Sequence, residues 1–386
     1  MGATDMDNAE LGAVGVIGAG AMGSGIAQVA ATAGHPVFLC DAFEGAAERA
    51  QARIAADLAK RAAQGRLPAE EAAAIAARIT PVAAAADLPA CVVVIEAIAE
   101  DLDAKSALFE ELGRTQPAST ILATNTSSLS INAIAPAAAH PSRVLGLHFF
   151  NPPPAMKLVE VIRGETTVQD VLDAATALVV SWGKVAVRCA STPGFIVNRV
   201  ARPFYGEAQR MVQEGVADAA TIDACLELTD LIGQDVNLAV GTSVWNQTSR
   251  DPRYAPTSFQ QGLVAAGHLG RKSSQGVYTY AADGTATDNV PDDAKVAELL
   301  ASGVVTNPVA RTLAMLVNEA VDLVDRGEAG SGDVDLAMTL GTGYPKGPIA
   351  WGREIGFGTV RDQLLELDAA FPGGRYRPSP ALERIS

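Results

Sequence analysis

The first half of the chain alternates short apolar runs with longer stretches of helical character. Ala13–Ile17, Val37–Cys40, Val92–Ala97, Thr120–Thr124 and Val144–Phe149 are Val- and Ile-rich and bounded by Gly, Pro or polar residues, which predicts strands. Lys157–Ile162 is a further β-like run, and Val185–Arg188 reads as a last strand of this half. Strands separated by helical stretches predict a parallel sheet with crossover helices. Between the second and third strands lies the Ala-rich stretch Ala46 to Arg78, broken near Gly65 and Pro68, which predicts a helical hairpin and not one long helix. After Thr192-Pro193-Gly194 the pattern becomes helical throughout.

The second half repeats itself. Setting Arg199 on Arg311 puts Glu207-Ala208 on Glu319-Ala320, Gly215 on Gly327, Asp223 on Asp335 and Leu228 on Leu340, all at an offset of 112. Agreement spread along a helix–turn–helix pattern points to a duplicated helical unit. Past Leu228 the offset becomes 123, with Ile232-Gly233 resembling Ile355-Gly356, so the first copy lacks the counterpart of the turn Gly341 to Pro348. Between the copies, Ala281 to Asp293 is polar, acidic and poor in large apolar residues, and reads as a linker.

Composition narrows the class. The 386 residues allow two or three domains, and 48% hydrophobic with 19% charged residues fits globular packing. No run of roughly 18 uncharged apolar residues predicts a membrane span. The N-terminus, MGATDMDNAEL, lacks the basic-then-apolar order of a signal peptide and reads as a frayed tail. A formal charge of −15 argues against nucleic-acid binding, and any polyanionic substrate needs a local basic patch. Cys40, Cys91, Cys189 and Cys225 form neither CxxC pairs nor metal-ligand spacing, so no metal is expected. Buried free thiols and a cytoplasmic location are the default expectation.

Chemistry first shows at Val14-Gly-Val-Ile-Gly18-Ala-Gly20-Ala-Met22-Gly23, a strand running into GxGxxG and then a helix. Gly18 permits the tight turn, Gly20 lets the backbone approach a pyrophosphate, and Gly23 lets helix and strand pack closely. The helix N-terminus would hold the pyrophosphate. Asp41 ends the next strand, 18 residues beyond Gly23, where a carboxylate accepts hydrogen bonds from the adenosine ribose and repels a 2′-phosphate. Ala42-Phe43-Glu44 supply no Arg for that phosphate, so NAD is expected over NADP; the fingerprint alone leaves FAD open.

Of the four histidines, His35 reads as a surface turn residue, and His140 and His268 as loop residues. His148 ends an apolar strand before Asn151-Pro-Pro-Pro, at the C-terminal end where open α/β sheets bind ligands. Glu160, flanked by Val on both sides, needs a buried partner or a shifted pKa. A His148–Glu160 pair would serve both groups; a structural His and a Glu exposed at a sheet edge is the alternative.

Asn125-Thr-Ser-Ser-Leu, Gly146-Leu-His-Phe-Phe-Asn-Pro-Pro-Pro-Ala-Met-Lys-Leu-Val-Glu-Val and Thr192-Pro-Gly-Phe-Ile-Val-Asn-Arg occur in an order that resembles the L-3-hydroxyacyl-CoA dehydrogenase family. Ser191 to Pro203 and the second helical copy further resemble its 3-hydroxybutyryl-CoA and 3-hydroxyadipyl-CoA branch, the latter acting in phenylacetate catabolism. The resemblance implies a Rossmann-type doubly wound parallel sheet followed by two all-helical repeats. It divides the chain into an NAD-binding domain (1–191), a first helical domain (192–280), a linker (281–307) and a second, non-catalytic repeat (308–386). It implies that His148 is the catalytic base with Glu160 its partner, and that Ser127 and Asn198 hydrogen-bond the reacting oxygens. Gly18, Gly20, Met22, Gly23, Asp41, Glu100, Lys105, Ser127, Asn151 and Lys272 would line the NAD site. By the residues alone, Ser127 and Asn198 could also be helix caps, Glu100 and Lys105 an exposed helix-start pair, and Lys272 surface charge.

The implied reaction is reversible oxidation of a short (S)-3-hydroxyacyl-CoA. Arg53, Lys60, Arg61 and Arg66 on the Ala-rich stretch are candidates for the CoA phosphates. The second copy has Ala310 where the first has Asn198. The chain is expected to be a homodimer, or a monomer whose repeats pack together. Alternatives are a dehydrogenase of a small non-CoA hydroxy acid or polyol, and an NAD(H)-binding protein without turnover.

Overall fold

The computed structural model describes residues 11–226 and 233–384. The N-terminal tail and the junction after Leu228 lie outside the described residues. The chain divides into two compact units, Met1–Ser191 and Thr192–Ser386.

The first unit is an eight-stranded sheet in the order β3-β2-β1-β4-β5-β6-β7-β8. Its strands are β1 (Val14–Ile17), β2 (Val37–Cys40), β3 (Ile79–Pro81), β4 (Val93–Glu96), β5 (Ile121–Thr124), β6 (Val144–Phe149), β7 (Leu158–Arg163) and β8 (Val185–Ala190). The helices α1 (Ala21–Thr32), α2 (Ala46–Ala63), α3 (Ala69–Ala77), α4 (Leu102–Thr115), α5 (Ile131–Ile134) and α6 (Gln169–Ser181) connect them. The helical hairpin is α2 and α3. The chain order reverses between β1 and β4, the switch point at which such sheets form a ligand crevice.

The sheet departs from all-parallel at one place. β7 runs antiparallel to β6, because the turn between Asn151 and Lys157 is too short for a crossover helix. β3 escapes the apolar-run criterion, since only Ile79 of its three residues is buried. His35 is also not a surface residue: it is buried, its Nδ1 lies 2.8 Å from the Gly12 carbonyl oxygen, and its ring meets the edge of Trp182. Cys40, Cys91 and Cys189 are buried thiols, and Cys225 is half-buried.

The second unit contains α7 (Val197–Val200), α8 (Arg202–Gln213), α9 (Ala219–Leu226), α10 (Gln234–Gln247), α11 (Ser258–Ala265), α12 (Asp293–Ala301), α13 (Pro308–Asp325), α14 (Ser331–Thr342), α15 (Pro348–Ile355) and α16 (Phe357–Ala370). The repeat is visible in these elements. α7 with α8 corresponds to α13, α9 to the start of α14, and α10 to α16 at the larger offset. The stretch read as linker is partly folded: α12 forms within it, and Leu299 is buried with Ala208, Met211 and Ile222.

The copies are joined by reciprocal buried ion pairs. Arg199 Nε donates to Glu319 at 2.5 Å, and its equivalent Arg311 donates to Glu207, the equivalent of Glu319, at 2.9 Å. Each arginine of one copy therefore meets the glutamate of the other, the pattern of a two-fold interface within one chain. Tyr254 and Arg253 complete the Glu319 end; Tyr376 and Arg375 complete the Glu207 end. Burial would raise the Glu207 carboxyl, but Arg375, Arg311 and Arg210, with the Tyr376 hydroxyl, hold it down to about 2.

Candidate active site

The glycine turn has the mechanics its sequence implies. A Cβ on Gly18 would lie 2.4 Å from the Ala97 carbonyl oxygen, so the loops after β1 and β4 approach only because that position is bare. A Cβ on Gly23 would strike the Gly18 carbonyl at 1.8 Å, which makes this glycine necessary for α1 to begin so close to β1. Gly20 differs: its Cβ would meet no atom within 4 Å. Protein packing does not require glycine there, whereas close approach of a pyrophosphate would, so these residues fit a dinucleotide. Met22 packs half-buried at the sheet core. The Asp41 carboxylate accepts from the Ala19 amide at 2.6 Å and the Phe43 amide at 2.9 Å, which fixes it at the lip of the turn. Phe43 itself is exposed.

Across the crevice, the loop after β5 is built around Glu100. Its Oε1 accepts from the Thr126 hydroxyl (2.6 Å), the Ser127 and Ser128 amides (both 3.0 Å) and the Ser128 hydroxyl (2.9 Å). Burial would raise the Glu100 carboxyl, but these hydrogen bonds and the Lys105 charge together hold it below the ordinary range. Lys105 is not an exposed helix-start residue. It is buried, with Nζ 2.6 Å from Glu96 and 3.4 Å from Glu100. Glu96 also accepts from the Thr124 hydroxyl at 2.7 Å and the Ile98 amide at 2.7 Å. The fully buried Glu96 and its partner Thr124 were missed by sequence reasoning, although an acid closing the apolar run Val92–Ile95 was the available signal. Ser127 caps no helix; α5 starts after Ser130.

His148 and Glu160 are opposed residues of the antiparallel β6–β7 pair. Their side chains point to the same face, which brings Nδ1 to 2.6 Å from Glu160 Oε2 with both groups buried. Ile17, Glu96, Thr124 and Gly146 lie at one level across the sheet. His148 stands two residues further along β6, about 7 Å towards the ligand-binding end. The Asn125 side chain accepts from the Phe149 amide at 2.8 Å, and the Phe150 ring lies 4.6 Å from the imidazole. Asn151 begins the following loop, which rests on α1: a Cβ on Gly25 would lie 2.6 Å from Pro153. Lys184 Nζ holds the loop from below through the Pro153 and Met156 carbonyls at 2.6 and 2.9 Å.

Arg53, Lys60 and Arg61 are exposed along α2, and Arg66 is exposed in the turn after it. Of these, Arg53 reaches towards the glycine turn, with Nη2 3.4 Å from the Ala19 carbonyl. Asn198 and Lys272 belong to the second unit. Asn198 lies in α7, and its carbonyl accepts from Arg202; Lys272 is paired with Asp235 at 2.5 Å.

Residues 13–192 match the family model "3-hydroxyacyl-CoA dehydrogenase, NAD binding domain", and residues 194–280 and 308–386 match its C-terminal domain. The chain is 40% identical to 3-hydroxyadipyl-CoA dehydrogenase of Escherichia coli K12 over 458 positions, covering 96% of each protein. That alignment is longer than the chain, so the relative carries segments with no counterpart here. It is 41% identical to a probable 3-hydroxybutyryl-CoA dehydrogenase of Bacillus subtilis, covering 69% of this chain and 96% of that protein. Among solved structures, a 3-hydroxybutyryl-CoA dehydrogenase from E. coli K12 superposes with a TM-score of 0.89 at 38% identity, covering 97% of this chain and 98% of the other.

Proposed function

The chain belongs to the 3-hydroxyacyl-CoA dehydrogenase family and is an NAD-dependent enzyme of that kind; from this premise we propose that it oxidises short (S)-3-hydroxyacyl-CoA thioesters with His148 as the base and Glu160 as its partner. The observation that carries the assignment is the buried 2.6 Å contact between His148 Nδ1 and Glu160 at the ligand end of the sheet. With Nδ1–H donated to the carboxylate, Nε2 is the nitrogen that takes the substrate's hydroxyl proton. NAD, when bound, supplies the acceptor for the hydride leaving C3. As the proton arrives, the imidazole becomes cationic, and the Glu160 carboxylate stabilises that charge in a site largely shielded from water. In reverse, the imidazolium returns the proton to the 3-ketone oxygen. Ser127, held by Glu100, and Asn198 act as hydrogen-bond donors to substrate oxygens. Gly18, Gly20, Met22, Gly23, Asp41, Glu100, Lys105, Asn151 and Lys272 serve the NAD site. Arg53 is the best placed of the basic residues on α2 to meet a ligand phosphate.

Steady-state oxidation of NADH with acetoacetyl-CoA, compared with free acetoacetate, tests the reading. Activity confined to the thioester supports it; activity on the free acid, or none, overturns it. His148→Gln should abolish most turnover while leaving NADH binding intact, and near-normal turnover in that variant removes the base assignment.

Ala310 stands in the second copy where the first has Asn198, so that copy serves as a packing partner and not a second catalytic unit. The reciprocal Arg–Glu pairs support its taking the place of an interface between subunits.

A further inference from the structure

Of the buried and half-buried arginines in the second unit, most pair with a carboxylate; Arg202 and Arg210 do not, and Arg202 is the one that lies near Asn198, whereas Arg210 donates to the Ala255 carbonyl. Arg199, Arg253, Arg311 and Arg375 each have a carboxylate partner. Arg202, half-buried at the start of α8, has none among the described residues. Its Nε donates to the Asn198 carbonyl at 2.9 Å, and Nη1 to the Asn237 carbonyl and side-chain oxygens at 3.2 and 3.1 Å, all neutral acceptors. Its guanidinium carbon lies 5.2 Å from the centre of the Tyr205 ring. Burial lowers the guanidinium pKa, and the nearby Tyr205 and Tyr344 phenols only partly offset this. A desolvated cation without an anion is destabilising on its own, and such a group is retained where an anionic ligand completes it.

The surroundings are aromatic and come from both copies. Phe204 and Tyr205 belong to α8, while Tyr344 belongs to the turn between α14 and α15 that the first copy lacks. The Tyr344 ring centre lies 5.8 Å from that of Phe204 and 5.5 Å from that of Trp351. An apolar wall with one fork-shaped cation suits a chain of methylenes ending in a carboxylate.

We propose that Arg202 recognises the terminal carboxylate of a dicarboxylic 3-hydroxyacyl-CoA, with Tyr344 of the second copy completing the wall around the acyl tail. This rests on the reading of Asn198 as a substrate-contacting residue, one helical turn away. Arg202 is then a specificity-determining residue, and the second copy contributes to substrate choice although it carries no catalytic Asn.

Kinetics on the full chain test the proposal. Wild type should prefer 3-hydroxyadipyl-CoA to 3-hydroxybutyryl-CoA. In Arg202→Met the ratio of kcat/KM for the two should fall by about 10- to 100-fold, chiefly through KM for the dicarboxylic substrate, the usual worth of a charge-assisted hydrogen bond. Tyr344→Leu should lower the same ratio by a smaller factor, and an unchanged ratio there overturns the second copy's part. An unchanged ratio in Arg202→Met overturns the proposal. If that variant fails to fold, wild type decides: the ω-methyl ester of the adipyl substrate should show a raised KM, and an ester used as well as the acid overturns the proposal. Wild type inert to every thioester overturns the underlying dehydrogenase reading instead, so the two failures are distinguishable.

Discussion

Replacing Glu160 by Gln removes a charge while keeping a hydrogen-bond acceptor of the same shape, which isolates the electrostatic part of the His148–Glu160 contact. The Nδ1···Oε2 separation is 2.6 Å, and Glu160 is fully buried, so solvent screens the pair little. With charge centres about 4 Å apart and an effective dielectric near 20, a carboxylate favours an imidazolium by up to about 4 kcal/mol. Hydrogen bonds to charged groups contribute a net ~1.5–3 kcal/mol, which sets the lower bound. That stabilisation is absent while the imidazole is neutral and present once it takes the substrate proton. Glu160→Gln should therefore lower kcat and kcat/KM together by about 10- to 1000-fold, with little change in NADH affinity. Glu160→Ala should lose more, because ring orientation is lost as well. The assay is steady-state NADH formation from 3-hydroxybutyryl-CoA, with fluorescence titration of NADH as the binding control. A loss of less than about threefold in Glu160→Gln would refute the claim that this carboxylate stabilises the cationic ring.

Arg311→Met removes the buried guanidinium shared by Glu207 and Glu214, leaving Glu207 with Arg375 and Tyr376 alone, and should destabilise the second unit by about 1.5–3 kcal/mol, read as a lower urea midpoint. Glu207 is held at about 2 against an ordinary 4.5, so the unfolded chain takes up its proton first on acidification; this contribution is complete above about 4.5 and is lost as pH falls towards 2. Urea midpoints measured down that range should fall more steeply in wild type than in Glu207→Gln. Asp41→Ser should weaken NAD binding and narrow its advantage over NADP, measured as the ratio of kcat/KM for the two. Removing residues 294–386 uncovers Arg199 and Glu207 and should produce self-association or loss of stability, read by light scattering and thermal melts; an unchanged monomer of wild-type stability would count against the interface reading.

Much of the first unit was legible because its determinants are local. Continuous apolar runs fix the strands, Gly65 and Pro68 break the helical hairpin, and Gly18, Gly20 and Gly23 carry their reasons in their spacing. Pairing is not local. That Glu160 faces His148 depends on the register of two antiparallel strands, which no periodicity reveals. The same applies to Lys105, whose burial is decided by Glu96 on a neighbouring strand, and to His35, sheltered by Trp182 from the end of α6. In the second unit the duplication was readable, but Arg253-Tyr254 and Arg375-Tyr376 were not recognised as its equivalent parts. They stand at an offset of 122, one residue away from the changed offset of 123 and beyond the point where the alignment of copies had broken.

Covalent fusion of the two helical copies changes how their contact responds to dilution and to mutation. Partners on separate chains separate as concentration falls, whereas Arg199 and Glu319 are tethered and meet at an effective concentration fixed by the intervening polypeptide. In a symmetric pair of identical chains every substitution also appears twice, on both sides of the contact. Here each copy drifts by itself, so one can keep Asn198 while the other holds Ala310, without either change being imposed on its counterpart.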